Sequence, residues 1–417
     1  MNEVVVTGLG FTTSIGNSRG AVIASLRECR SGVELMPELA EANSTVKLAG
    51  TVKGFAFPST DPLDWSFPER IQMTRGQLRT ATPNVLYAIA AMDEAIADAQ
   101  LSAEMISNAH TGLYCASAGS SWLTHALLCS VFERGASRTA ASLVVSGMPN
   151  SLHLNLTSRY GIKGASLGFS SACASSAHAL GFALDQIRLG RQQRILVVGA
   201  EDCHPCNILP FNALRALSSQ CDSSLAPRAF DSARDGFVIT GGSTVLVLET
   251  AEEAAARGAR IYAKLRGWGQ ASDGYDVVAP DPAGAGLARA MSYAIKDAVM
   301  KPDEIDYLNA HATSTVAGDI VEIRALRAVF ESSKFPQVSS TKSLTGHGLS
   351  MSGAMEAAFC CLALEDRFYP VSANITQLDP ACAGVPIITK AVEGFPLTAM
   401  SNSSGFGGAN VSLIFSA

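Results

Sequence analysis

Charge is scarce in this chain of 417 residues: Asp, Glu, Lys and Arg together make up 16%, and the net charge is −6. A broad cationic field of the kind that binds nucleic acid is therefore not expected. No run of residues is long and apolar enough to cross a bilayer. Met1-Asn2-Glu3 leads straight into the strand-like Val4-Val5-Val6 and lacks the basic start and apolar stretch of a secretion signal. The expectation is a cytoplasmic protein without a membrane segment. Ten cysteines fall at irregular spacings, so a disulfide framework is excluded. The C-H-P-C string at Cys203–Cys206 has no second CxxC to complete a metal site, and no metal is expected.

What the chain does hold is apolar and small: 47% hydrophobic residues and 36 glycines. Thick packing with helices buried on more than one side follows from that balance. Strand-like runs at Val4–Gly8, Arg194–Ala200, Ser243–Leu248 and Pro386–Thr389 alternate with helical stretches at Val85–Ala99 and Gly284–Ala298, the pattern of an α/β fold. The charged stretch Glu249–Gly258, followed by a strand starting at Ile261, is the best boundary. It divides the chain into residues 1–255 and 256–417. Cys173–Leu189 and Met351–Asp366 read as two helices of the same style, each opening on small residues. Amphipathic surface helices carry longer polar residues on one face, so these two are expected at the centre, one per half, in a duplicated architecture.

Four strings carry chemistry. In Phe169–Ser176 the sulfur of Cys173 stands at a helix start, where unpaired N–H groups are expected to lower the thiol pKa and favour a nucleophilic thiolate. Asn309–Thr315 surrounds His311 with small and hydroxylated residues after a strand-like Ile305–Leu308. Thr341–Gly348 brings Lys342 and His347 to the head of the second small-residue helix, so that one Cys and two His can converge. Ser404–Asn410 sets Phe406 among glycines that allow close backbone approach. Gly8-Leu9-Gly10 lacks the third glycine of a dinucleotide fingerprint, and Arg234–Phe237 reads as a turn into a strand. Trp122 follows the small-residue loop Ala116–Ser121; it either narrows a pocket or fills core or surface.

Taken in order, VVVTGLGFTTSIG (4–16), SSACASSAH, FDSARDGFV, HATSTVAGD, TKSLTGH and SNSSGFGGAN resemble the β-ketoacyl-acyl carrier protein synthases, types I and II, of the thiolase-fold condensing enzymes. The resemblance covers nearly the whole chain. It implies a thiolase-like layered αβαβα fold with two duplicated halves, 1–255 carrying the nucleophile and 256–417 the two histidines. The implied reaction is a decarboxylative Claisen condensation of an acyl group on Cys173 with a malonyl-type extender. By the same resemblance His311 and His347 hold the extender's thioester carbonyl, while Lys342 and Glu322 match the family's lysine and acid. Thr313 and Thr315 would contact the phosphopantetheine arm, Phe406 would gate the site, and the backbone N–H groups of Cys173 and Phe406 would form the oxyanion hole. No cofactor of the chain's own is implied, because phosphopantetheine belongs to an acyl carrier protein partner. The implied assembly is a homodimer or a ketosynthase heterodimer.

Departures from the family pattern are Ala312 for Gly, Val316 for Pro, Ser404 for a Phe beside the gate and Ala409 for Thr. A thiolase would need a second C-terminal Cys where Asn402–Gly405 stands; a type III ketosynthase would need Asn instead of TKSLTGH; a non-catalytic chain-length partner would lack Cys173. Fatty acid elongation, specialised polyene or polyketide synthesis, and the catalytic half of a ketosynthase/chain-length-factor pair remain as readings. Carrier proteins are acidic, and Arg75, Arg79, Arg134 and Arg138, in two short clusters, are the candidate docking cations.

Overall fold

The computed structural model describes residues 1–41, 44–148, 151–390 and 392–417. Ten strands join in one sheet: β1 Val4–Thr12, β2 Thr111–Ala116, β3 Ser166–Phe169, β4 Arg194–Glu201, β5 Gly242–Thr250, β6 Ala263–Ser272, β7 Tyr307–Asn309, β8 Gln337–Ser339, β9 Thr398–Gly405 and β10 Ala409–Ser416. Their order is β8-β7-β9-β10-β6-β1-β5-β4-β2-β3. Counted from the middle outward, each half runs first, fifth, fourth, second, third strand. The directions repeat too, with two parallel pairings outermost and two antiparallel ones inside. Within the sheet the halves are joined among the described residues by the pairing of Val5 and Val6 with Lys264 and Ala263. The faint repeat seen in the two helical stretches is thus a duplication of the whole topology.

Six helices build the layers: α1 Pro83–Asp98, α2 Ser151–Tyr160, α3 Ser175–Arg188, α4 Ala285–Asp297, α5 Val316–Phe330 and α6 Ser352–Glu365. α1 and α2 cover the outer face of the first half, α4 covers the second with α5 packed against it, and α3 and α6 lie between the two halves. That is the expected five-layer order. α6 is buried along nearly its whole length, which accounts for its lack of a polar face. α3 and α6 approach closely because a Cβ at Gly353 would sit 2.7 Å from the Ala177 Cβ, and Ser176 Oγ accepts from Ala354 N at 2.9 Å.

The glycines of β1 serve packing. A Cβ at Gly8 would meet the Ala95 carbonyl of α1 at 2.6 Å. Glu94 Oε2 accepts from Phe11 N, and Asp98 Oδ2 from Leu9 N, tying α1 to the strand. Two expected elements differ. Pro386–Thr389 forms no strand: Ile387 makes a single bridge to Val338, because Pro386 has no N–H to donate to a ladder. Arg234–Phe237 leads into isolated bridges at Phe237 and Ile239. The stretch expected as the boundary is helical over Ala251–Ala256, capped by Thr250 Oγ1.

Candidate active site

The two halves contribute to one cavity of about 280 Å³, lined among others by Cys173, His311, His347, Thr313, Thr315 and Phe406. Cys173 sits two residues before the first helical residue of α3, on a turn in which Ala172 adopts φ 50°. A non-glycine residue in that region costs about 1–2 kcal/mol. Ser175 Oγ holds the turn, donating to the Ala172 carbonyl and accepting from Ser171 N. The sulfur is presented beside His347, whose Nε2 lies 3.1 Å from Sγ.

His347 is pinned by its own backbone. Its N–H donates to the Val238 carbonyl at 2.7 Å and its carbonyl accepts from Thr240 N, after a turn at Gly346 with φ 79°. The Phe237 ring meets the imidazole edge-on at 5.3 Å, and Ser352 Oγ lies 3.0 Å from Nδ1. The His311 ring centroid is 5.3 Å from that of His347, at 85°. One cysteine and two histidines converge, as their motifs predict.

The His311 loop is held by carboxylates. Glu322 Oε1 accepts from His311 N and from Asn402 Nδ2, and Oε2 from Ala312 N at 2.7 Å. Asp319 accepts from Ser314 N and Phe230 N. Arg234 donates to the Thr315 and Val316 carbonyls and to Asp379. The sequence places Arg234 only at the start of a turn and does not single out Asp319; nothing in FDSARDGFV signals that the arginine clamps a loop more than eighty residues away. Thr313 and Thr315 face each other at 3.2 Å between hydroxyls.

Lys342 is fully buried and paired with Glu356 of α6. Glu356 is a further residue that sequence reading missed. Its signal is visible afterwards, a lone acid inside the apolar run Ser352–Leu364. Burial raises the Glu356 carboxyl to about 7 against the pull of Lys342. Burial, followed by the Lys342 charge, holds both imidazoles well below their ordinary value, with His347 also lowering His311.

The thiol departs from expectation. Burial pushes Cys173 up to about 12; Lys342 and the residue's own N–H pull it down, while Glu201 and Glu356 push it up. The sulfur precedes the helix and, although the residue is only partly buried on the cavity wall, loss of hydration outweighs the helix terminus. Both shifts favour the uncharged pair, thiol beside imidazole.

Gly405 carries the strand before Phe406 against the Cys173 turn: a Cβ there would lie 2.7 Å from the Ser171 carbonyl and 3.1 Å from Cys173 N. Phe406 follows, its ring 6.3 Å from Phe211. Ser404 Oγ donates to Asn410 Oδ1 at 2.7 Å, and Asn410 Nδ2 donates to Asp273 Oδ1. Trp122 does not line this cavity; it stacks on His204 at 4.2 Å. Arg75, Arg79, Arg134 and Arg138 are all exposed, and Arg79 and Arg134 line one groove.

Two family models match, the β-ketoacyl synthase N-terminal domain over residues 1–254 and the C-terminal domain over residues 262–376. The chain belongs to the β-ketoacyl synthase family. It is 40% identical to 3-oxoacyl-[acyl-carrier-protein] synthase 1 of Haemophilus influenzae, covering all of this chain and 99% of that protein. It is 39% identical to the Escherichia coli enzyme of the same name over 99% and 98%. A β-ketoacyl synthase from Burkholderia phymatum superposes with a TM-score of 0.90 at 35% identity, covering 100% and 99% of the two chains. The ishigamide ketosynthase/chain length factor does so at 0.88 and 29%, again over 100% and 99%. This β-ketoacyl synthase thus has the thiolase-like architecture that its motifs imply. Among the described residues no helix is long and apolar enough to cross a membrane.

Proposed function

We propose that this chain condenses an acyl group on Cys173 with malonyl-acyl carrier protein, losing carbon dioxide and giving β-ketoacyl-acyl carrier protein, in fatty acid synthesis. The single observation that carries this reading is the Cys173 sulfur 3.1 Å from His347 Nε2, with His311 beside it in the same cavity. Residues 1–255 supply the nucleophile, and 256–417 supply the two histidines.

In loading, His347 Nε2 takes the Cys173 proton as sulfur attacks the carrier thioester. The oxyanion is held by the N–H groups of Cys173 and Phe406, and the proton passes to the leaving pantetheine thiolate. In condensation the extender's thioester oxygen lies between His311 and His347. Their N–H groups stabilise the enolate formed as carbon dioxide leaves. The enolate carbon attacks the acyl-Cys173 carbonyl, the carbon–sulfur bond breaks, and the released thiolate takes up one proton. Glu322 fixes the His311 loop, burial and then Lys342 keep both rings neutral, Thr313 and Thr315 receive the pantetheine arm, and Phe406 closes behind the acyl chain. This chemistry needs no metal or redox group, since the enolate is stabilised by N–H donors and the arm arrives on its carrier.

A second reading, specialised elongation as the catalytic member of a ketosynthase pair, is favoured by Ser404, whose hydroxyl lines the cavity beside the gate. The acidic carrier protein would dock over the groove of Arg79 and Arg134. A second chain, identical or a chain-length partner, would cover β3, whose Leu167 is exposed at the sheet edge and whose Phe169 packs against the exposed Phe182. Mass spectrometry of the protein mixed with a series of acyl-carrier proteins tests the reading. A thioester on Cys173 is expected, absent in Cys173→Ala, with malonyl-carrier protein then converted to β-ketoacyl product. Condensation retained by Cys173→Ala would overturn it.

A further inference from the structure

We infer that Ser352 is a positioning residue for His347, its hydroxyl letting the imidazole change tautomer between loading and condensation; the inference rests on the function proposed above. The two half-reactions make opposite demands on one nitrogen. Loading needs a lone pair at His347 Nε2 to accept the thiol proton; condensation needs an N–H at the same atom to hold the enolate oxygen. A neutral imidazole satisfies the first as the Nδ1–H tautomer and the second as the Nε2–H tautomer.

Whatever faces Nδ1 decides which form is favoured. A backbone N–H there would fix Nε2–H, and a carboxylate or carbonyl would fix Nδ1–H. The group that faces it is a hydroxyl, Ser352 Oγ at 3.0 Å, with both residues buried. A hydroxyl donates or accepts by rotating about its C–O bond, so it pairs with either tautomer. Ser352 is the first residue of α6, so its own N–H lies outside the α-helical hydrogen-bond ladder and its side chain is oriented by a rigid central helix. The Nδ1 of His311, by contrast, has no hydrogen-bond partner among the described residues. The two rings are therefore not equivalent, and only His347 has both nitrogens engaged, one by the nucleophile and one by a reversible partner.

The proton balance closes. In loading the proton goes from Sγ to Nε2 and on to the departing pantetheine sulfur, leaving the ring neutral. Once Cys173 is acylated it has no S–H to offer Nε2. The ring then takes a proton at Nε2 from solvent in the cavity and gives up its Nδ1 proton through the Ser352 hydroxyl back to solvent, so no proton is gained or lost overall; the hydroxyl turns to donate to Nδ1, and the ring's single proton resides on Nε2.

The test uses the whole protein labelled with 15N-histidine. Free protein is expected to show His347 as the Nδ1–H tautomer, and protein alkylated at Cys173 with a long-chain iodoacetamide as the Nε2–H tautomer. Ser352→Ala is expected to lose that change and to slow loading roughly tenfold, the worth of about one buried hydrogen bond. Ser352→Thr, which keeps the hydroxyl, restores it. Melting curves of each variant separate a tautomer effect from a folding one. One unchanging tautomer in the labelled protein, or wild-type loading and decarboxylation by Ser352→Ala, would overturn the role of Ser352. Full loading and condensation by His347→Ala would instead overturn the function on which it rests.

Discussion

The neutral state of Cys173 is open to direct titration. With the thiol pushed up to about 12 by burial, only roughly one part in 10⁵ is thiolate at about pH 7. The Lys342 cation pulls the other way, but it is committed to Glu356, and Glu201 and Glu356 oppose it. Ultraviolet thiolate absorbance, taken as the difference between the wild-type protein and Cys173→Ala, removes the other nine cysteines from the signal. No step is expected between about pH 5 and about pH 9, where an ordinary thiol near 8.5 would already be ionising. On the proposed mechanism, in which His347 takes the proton as sulfur attacks, alkylation by iodoacetamide should be nearly flat over the same range. In His347→Ala the alkylation rate should be lower and should rise about tenfold per pH unit, since free thiolate must then form first. A Cys173-dependent absorbance step with a midpoint below about pH 8 would refute the reasoning. It would mean that the helix terminus outweighs burial.

Three further outcomes follow from particular contacts. Glu322→Gln keeps one acceptor oxygen, toward His311 N and Asn402, but turns an amide N–H against Ala312 N, losing a charge-assisted bond of about 1.5–3 kcal/mol. Condensation should fall about 10–100-fold while loading falls less, as separate half-reaction rates will show. Glu201 accepts from Ala118 N and from Ser350 N and Oγ, yet burial raises its carboxyl from 4.5 to about 8. The native state therefore holds a proton that the unfolded chain releases, and stability falls as pH rises from about 4.5 to 8. Glu201→Gln should melt at least about 2 °C above wild type at pH 8, with the gap closing near pH 5. Leu167→Lys at the free sheet edge should shift the protein toward monomer in sedimentation at low concentration, while leaving the melting curve of the monomer in place.

Both central helices were legible because small residues at Gly353, Ala177 and Ser176 serve close contact, and that composition is local. The Cys and His motifs were legible because each lies on a short segment with its own loop signature. The repeated strand order was only faintly so: it depends on which strands pair, and β7 and β8 are three residues each, too short for a periodic signal. The Lys342–Glu356 pair joins residues fourteen apart across a turn, and the Arg234 clamp joins residues some eighty apart; neither distance is encoded in spacing. The thiol's titration was misjudged for a related reason. A helix start can be read locally, but the enclosure that strips water from the sulfur is built by both halves.

That enclosure gives Lys342 its consequence. The proposed chemistry requires two neutral imidazoles; burial supplies most of that neutrality, with Lys342 next in rank for both rings. Lys342→Met should let both rings rise while burial still holds them down in part. The acid limb of the loading rate, set by protonation of the His347 acceptor, should then move to higher pH. Removing one member of a buried ion pair ordinarily costs about 3–5 kcal/mol. Here Glu356 already sits near 7, so it can take a proton in place of the lost lysine, and the unfolding penalty should fall below that range near pH 7. Loading should also slow at every pH, because the same cation is the largest influence pulling the Cys173 thiol down. A pH profile whose acid limb stays put or moves lower, with the variant still folded by its melting curve, would show that Lys342 acts on this site through structure and not through charge.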